Sequence, residues 1–373
     1  MDNLTHTLFA VTLGRTPLGR AGRGTTTALV LASNAPDIDI VTTAQGGAAY
    51  LQWHRGPTHG PLGIAALALV AAAIVWGIQR YIDRKSDPPD SVPSASFGML
   101  FAVSALGVLC HILMDFPTSY GTRLLSPFSW HWFAVDLMPI VDVYLIAALF
   151  AGLLFGQASD ASRRRNAAIV LVLMAANYGV RAVARHEAIV LAPRVFGPLM
   201  PRPCDPGRMD RLLAEWPSET TAMAVPAGAT AGGRCLVELA AMPTFLSPFK
   251  WRVIARLSNA YEMHDVDVLD ARLRRPAEAD EAPWRLTVRY PDQWNETVQA
   301  AAGAPLAQTF LGFSRFPAAR WLVDQATGVA TVRWTDMRFV AGPIDQRTTR
   351  GNLFTVTVRL GPDGRFLSEQ LGQ

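Results

Sequence analysis

Four apolar runs, residues 62–82, 97–114, 137–155 and 167–184, are each long enough to cross a bilayer as a helix. A helix rises about 1.5 Å per residue and the hydrocarbon core is roughly 30 Å thick. Two shorter apolar runs, residues 4–13 and 25–35, would reach only about 15–17 Å. They are expected to form a helical hairpin that enters the membrane partway. Half of the 373 residues are hydrophobic and 17% are charged, too few charges for one soluble globule of this length.

Basic residues cluster between these runs. Arg15, Arg20 and Arg23 separate the two short helices, Arg80, Arg84 and Lys85 follow the first long run, and Arg163, Arg164 and Arg165 precede the last. Threading the chain through the expected elements puts all three basic turns on one face, which the positive-inside rule assigns to the cytoplasm. The segments around His6, residues 37–59 and 115–136, and everything beyond 186 are then expected to be extracytoplasmic, in a multi-pass membrane protein. Arg55, Arg123, Arg181 and Arg185 fall on that outer side, against the trend. The start of the chain carries Asp2 and His6 rather than a basic leader, so the N-terminus is expected to be retained.

Beyond residue 187 the pattern changes to short β-favouring segments, residues 234–240, 251–257, 284–290, 329–334 and 354–360, broken by Pro, Gly and Asp. The fold class is therefore α + β: an N-terminal multi-spanning helical membrane domain (1–186), a linker (187–207) and a small antiparallel β-rich soluble domain (208–373). Cys110 reads as a small buried thiol. Cys204 and Cys235 would pair if the β domain meets an oxidising compartment.

Five of the seven histidines, His6, His54, His59, His111 and His131, fall within the first 131 residues, interleaved with Asp37, Asp39, Asp115 and Asp136. Ionisable groups beside hydrocarbon are costly unless they pair or ligate something. His111 and Asp115 are four apart and share one helix face, so both can reach one metal or two adjacent ones. In the stretch from Trp53 to Gly60, Gly56 and Pro57 favour a turn that can direct His54 and His59 to one point. His59 is the stronger ligand candidate, while His54 is expected to ligate or to act on substrate. Asp37 and Asp39 follow Pro36 and offer hard oxygen ligands. Joined to imidazoles they suit one or two divalent ions, zinc or manganese, and the absence of a cysteine cluster argues against a zinc finger. Asp2 and His6 are again four apart. The competing reading is a helix-packed His–Asp pair, an ordinary Pro–Asp turn and unrelated loop histidines.

Taken together, Leu4-Thr5-His6, Pro36-Asp37-Ile38-Asp39, His54-Arg55-Gly56-Pro57-Thr58-His59, His111 through Asp115, and Ser247-Pro248-Phe249-Lys250-Trp251-Arg252 resemble the metal-dependent hydrolases of the inner membrane, also described as LexA-binding inner-membrane-associated hydrolases. Phe313-Ser314-Arg315-Phe316-Pro317 extends the likeness into the β domain. A more distant likeness is to the zinc-dependent phospholipase C and P1 nuclease group, in the order His, Asp, His, His-x-x-x-Asp. That resemblance implies His6, Asp37 or Asp39, His59, His111 and Asp115 as ligands, with Asp115 bridging two ions. The chain lacks the further His and Glu-bearing helix of a third zinc site, and it has no tryptophan at residue 1.

The expected function is hydrolysis by metal-activated water of a phosphoester, lipid-like or close to the membrane. Asp39 or Asp136 would serve as general base, His54 would act on substrate, and Arg55 would stabilise charge on the substrate oxygens. Arg123 fits phosphate recognition or a headgroup anchor equally, and Trp130, His131, Trp132 and Phe133 fit substrate binding or an interfacial belt. Membrane lipids are the expected partners. No nucleic acid is expected, because the formal charge is only +4 and topology accounts for much of it. A metalloprotease is disfavoured, since His186-Glu187 has no second His three residues on. The other class is a membrane-anchored binding protein whose metal is structural.

Overall fold

Asp2 starts the first helix by accepting the amide of Thr5 at 3.0 Å, a side-chain cap that satisfies one of the open N–H groups of α1 (Asn3–Gly14). The computed structural model describes residues 1–85, 92–155, 159–196, 200–205, 212–218, 235–270, 288–340 and 354–372. After α1 come α2 (Thr25–Asn34), α3 (Gly47–Trp53), α4 (Pro61–Lys85) and α5 (Phe97–Asp115). A short strand β1 (Trp132–Ala134), α6 (Val143–Leu154) and α7 (Asp160–Val195) follow. The chain divides into two units, residues 1–41 with 53–182, and residues 42–52 with 183–373.

In the helical unit, α5 packs on α2 and α4, while α1 packs on α2 and α6. Gly107 permits the close approach of α5 to α2: a Cβ there would stand 3.0 Å from Ala32 Cβ and 3.2 Å from the Leu29 carbonyl. Among the described residues three helices, α4, α5 and α7, are long and apolar enough to cross a membrane. On α4 the large side chains Leu69, Val70, Ile74 and Ile78 are exposed, as suits a surface that meets lipid rather than water.

The run 137–155 departs from its expectation. Only Val143–Leu154 is helical, about 18 Å of helix, because Asp142 turns inward to cap it, accepting the Leu145 amide at 2.8 Å. Asp142 also ion-pairs with Arg181 at 2.7 Å, both side chains fully buried.

In the second unit β2 (Ala214–Trp216) precedes an antiparallel sheet of β3 (Leu236–Pro243), β4 (Lys250–Leu257), β5 (Ala260–Asp267) and β6 (Val288–Pro291), in that order. The short helices α8 (Glu296–Ala302) and α9 (Pro305–Phe313) lead to a second sheet, β7 (Pro317–Val323), β8 (Ala330–Asp336), β9 (Thr355–Leu360) and β10 (Phe366–Leu371), ordered β10-β9-β8-β7. A core of Ala240, Met242, Ile254, Tyr261, Met263, Tyr290, Phe316 and Ala318 lies between the sheets. The expected strands 251–257, 329–334 and 354–360 match β4, β8 and β9, while 284–287 lie outside the described residues. Residues 187–195, expected to begin the linker, are instead the last turns of α7. Ala188, Leu191, Ala192 and Val195 are held there by burial against Trp251, Val253 and Val266. Cys204 and Cys235 form a disulfide.

Candidate metal centre

Three segments of the helical unit meet at one point. Asp37 lies in a 3-10 stretch directly after α2, His59 ends a single 3-10 turn before α4, and His111 and Asp115 lie one turn apart at the end of α5. One donor atom from each of Asp37, His59, His111 and Asp115 lies within 4.8 Å of all the others.

The local chain explains how each donor is aimed. His111 is one turn beyond Gly107, on the face that approaches α2, and its Nδ1 is 2.7 Å from the Ser33 carbonyl. A carbonyl can only accept, so Nδ1 carries the proton and Nε2 is left as a lone pair. His59 Nδ1 is 3.0 Å from Thr58 Oγ1, whose own hydroxyl donates to Asp39 Oδ2 at 3.0 Å. This chain of donors likewise leaves His59 Nε2 as an acceptor. Burial lowers the His59 pKa well below the usual histidine range, aided by neighbouring positive charge, so its ring is neutral, as ligation requires.

The two Nε2 atoms are 3.2 Å apart. With neutral rings both lone pairs point at the same place, which is repulsive unless a cation sits there. Two imidazoles on one tetrahedral zinc, with arms of about 2.0–2.1 Å, have nitrogens roughly 3.3 Å apart. Asp37 Oδ1 stands 3.5 Å from His111 Nε2 and 3.9 Å from His59 Nε2, and Asp115 Oδ2 is 3.6 and 3.7 Å from His59 and His111. Two imidazoles and two carboxylates at these separations fit one divalent cation.

A second layer holds the first. Arg55 has φ 52°, a strained conformation for a non-glycine residue. It lets the backbone N–H donate to Asp39 Oδ2 at 2.8 Å while the guanidinium reaches Asp115 Oδ2 at 2.9 Å. The same guanidinium bonds Thr118 Oγ1 at 2.9 Å and lies 4.9 Å from the centre of the Tyr120 ring. The Met1 amino group also pairs with Asp115.

The remaining sequence candidates fall around this group. His6 stacks on His111 with ring centres 3.9 Å apart, and its Nε2 is 3.3 Å from Asp115 Oδ1. Asp39 sits behind His59, its oxygens engaged by His54 Nδ1 at 2.8 Å, the Arg55 amide and Thr58. The turn at Gly56 and Pro57 leaves the His54 and His59 rings 6.4 Å apart, so His54 stands beside the four donors rather than among them. Asp136 is buried with φ 56° and the chain just after it folds back onto the Pro117 carbonyl. Arg123 stacks on Trp130 and Trp132, and His131 is exposed. Sequence reasoning did not single out Ser33, Thr58, Thr118 or Tyr120. Thr58 lay inside a recognised motif, whereas a backbone carbonyl such as that of Ser33 leaves no residue-type signal.

Comparison with known proteins agrees with the membrane character. The family model of the YdjM inner membrane proteins matches residues 1–188, and the chain belongs to that family. Uncharacterized protein YfhP of Bacillus subtilis (strain 168) is 27% identical over 161 residues, covering 41% of this chain and 45% of YfhP. The chain thus spans about half the length of the curated relative it matches. No solved structure matches. The likeness to hydrolases and to the P1 nuclease group drawn from the motifs has no support in these matches, whose descriptions name an inner membrane protein and an uncharacterized one.

Proposed function

Taking membership of this inner-membrane family as the premise, we propose that the protein is a multi-pass, metal-dependent hydrolase acting on a phosphoester at or near the membrane surface. The observation that carries the reading is the group Asp37, His59, His111 and Asp115, its donor atoms within 4.8 Å of each other. A divalent ion held there would supply hydroxide near neutral pH and a Lewis acid for substrate oxygens.

The protein's own residues divide the remaining work. Asp39 holds His54 Nδ1 at 2.8 Å, which orients the imidazole and leaves proton transfer to its Nε2. Asp39 therefore positions His54 and His59 rather than ligating. Arg55 is buried and pairs with Asp115, so it holds that carboxylate in place. His6, stacked on His111, fixes the plane of that ring. The disulfide between Cys204 and Cys235 supports an oxidising, extracytoplasmic side for the β domain, in agreement with the distribution of basic residues.

Elemental analysis of detergent-purified protein, paired with turnover of a chromogenic phosphodiester, tests the reading. One or two zinc or manganese ions per chain, lost with His111→Ala and Asp115→Ala together with turnover, is the expected result. Bound metal without turnover of any phosphoester would favour a binding protein with a structural ion. Absence of metal after reconstitution would remove both.

A further inference from the structure

The β domain holds a cavity lined by several arginine side chains. At the edge of the core between its sheets, Tyr290, Ala318 and Met337 also line a cavity of about 720 Å³, within the usual size of small-molecule sites. Arg289, Arg320 and Arg333 line it too, together with Trp321, Thr331 and Thr335. None of the described residues lining it is acidic.

The register concentrates this charge. In the β7–β8 ladder Arg320 stands directly opposite Arg333, and like charges in that relation are destabilising. Arg289, on neighbouring β6, is paired across the ladder with Glu262 at 3.9 Å. Arg333 is steadied by Thr357 Oγ1 at 3.3 Å. Arg320 lies over the Tyr290 ring at 4.9 Å, and among the described residues its buried Nε has no hydrogen-bond partner. Tyr290 is 5% exposed, and its hydroxyl likewise has no partner among the described residues. Unsatisfied buried donors and an opposed pair of cations are both unfavourable in isolation. A multivalent oxyanion relieves them together, because guanidinium forks match its geometry.

We propose that this cavity binds a phosphate-bearing ligand, with the oxyanion held between Arg320 and Arg333 and the ligand body against Tyr290 and Trp321. A soluble phosphomonoester and a lipid phosphate headgroup share that chemistry. The site is independent of the metal centre and of the hydrolase reading.

The test uses the full chain in uncharged detergent, treated with EDTA so that the metal centre cannot take up phosphate. Inorganic phosphate and glycerol 3-phosphate are titrated calorimetrically, and co-flotation is measured with phosphatidylcholine vesicles with and without phosphatidic acid. Saturable binding is expected, weakened at least tenfold by Arg320→Gln and Arg333→Gln and several-fold by Arg333→Lys, which keeps the charge but loses the fork. Lys250→Gln removes an exposed positive charge from the same domain and is expected to leave binding unchanged. Folding of each variant is checked by its thermal transition, and Arg320→Lys replaces any glutamine variant that fails to fold. Binding of the soluble ligands, or of phosphatidic acid vesicles alone, supports the proposal and names the source. No saturable binding of any probe, or equal weakening by Lys250→Gln, overturns it.

Discussion

Replacing Asp39 with Asn separates a metal ligand from a residue that aims one. Asp39 reaches the centre through His59, by the Thr58 hydroxyl at 3.0 Å and a direct 3.5 Å approach to Nδ1, while its other bonds go to His54 and the Arg55 amide. Asn offers one acceptor oxygen in place of two and presents an NH2 group to donors. The His59 ring then loses its anchor but keeps its lone pair. Loss of such an outer partner typically weakens metal binding 10–100-fold, about 1.4–2.7 kcal/mol. Asp37→Asn removes one of the four donors and is expected to cost more than about 100-fold. Competition of the purified variants against a chromogenic chelator measures both. If Asp39→Asn lost as much affinity as Asp37→Asn, Asp39 would be a ligand and the assignment drawn from distances would be wrong. An unchanged affinity would show that the relay through Thr58 carries nothing.

Gly60→Ala is expected to cost about 1–3 kcal/mol and to lower metal content, since its Cβ would stand 1.9 Å from the Ser126 carbonyl oxygen, beside His59. Gly77→Ala in α4 meets nothing within 4 Å and should stabilise by roughly 0.5–1 kcal/mol in the same thermal assay. Arg181→Met strands the buried Asp142 and is expected to cost about 3–5 kcal/mol in detergent unfolding, most of it recovered in the Arg181→Met, Asp142→Asn double variant. An equal loss in the double variant would show that the cost lies in packing rather than in the stranded charge. Burial pushes the Asp292 carboxyl up to about 6, above its unfolded value near 3.9. Its contribution to stability is therefore complete below about pH 4 and lost as pH rises through 6, by as much as about 3 kcal/mol. Asp292→Asn should flatten that part of the pH–stability curve, and an unchanged slope would assign it to another group.

The long helices were legible because a membrane-crossing segment must satisfy its backbone internally and show an apolar surface, and both demands are written in a local run of residues. Residues 62–82 and 97–114 fall within α4 and α5 accordingly. The run 137–155 read the same way but is broken at Asp142, whose partner Arg181 is far along the chain and invisible to a hydropathy window. The expected start of the linker failed for a similar reason, since the last turns of α7 are stabilised by contact with strands more than fifty residues away. In the β domain, strands with alternating residues could be read, whereas β5, with the pattern of burial nearly continuous along it, could not.

For the candidate centre, sequence alone determined the donor types and the His111–Asp115 pair, because residues four apart on a helix necessarily share a face. Only the tertiary structure brought Asp37 rather than Asp39 into the four-donor group, and set His6 and His54 beside it. That decision depends on where the backbone beyond α2 and the turn before α4 place their side chains. Those placements follow from contacts such as Gly107 against α2, Gly60 against Ser126 and Arg55 against Asp115. Such contacts join residues distant in the chain, and a local pattern carries the chemistry of a side chain but not the direction in which packing will point it.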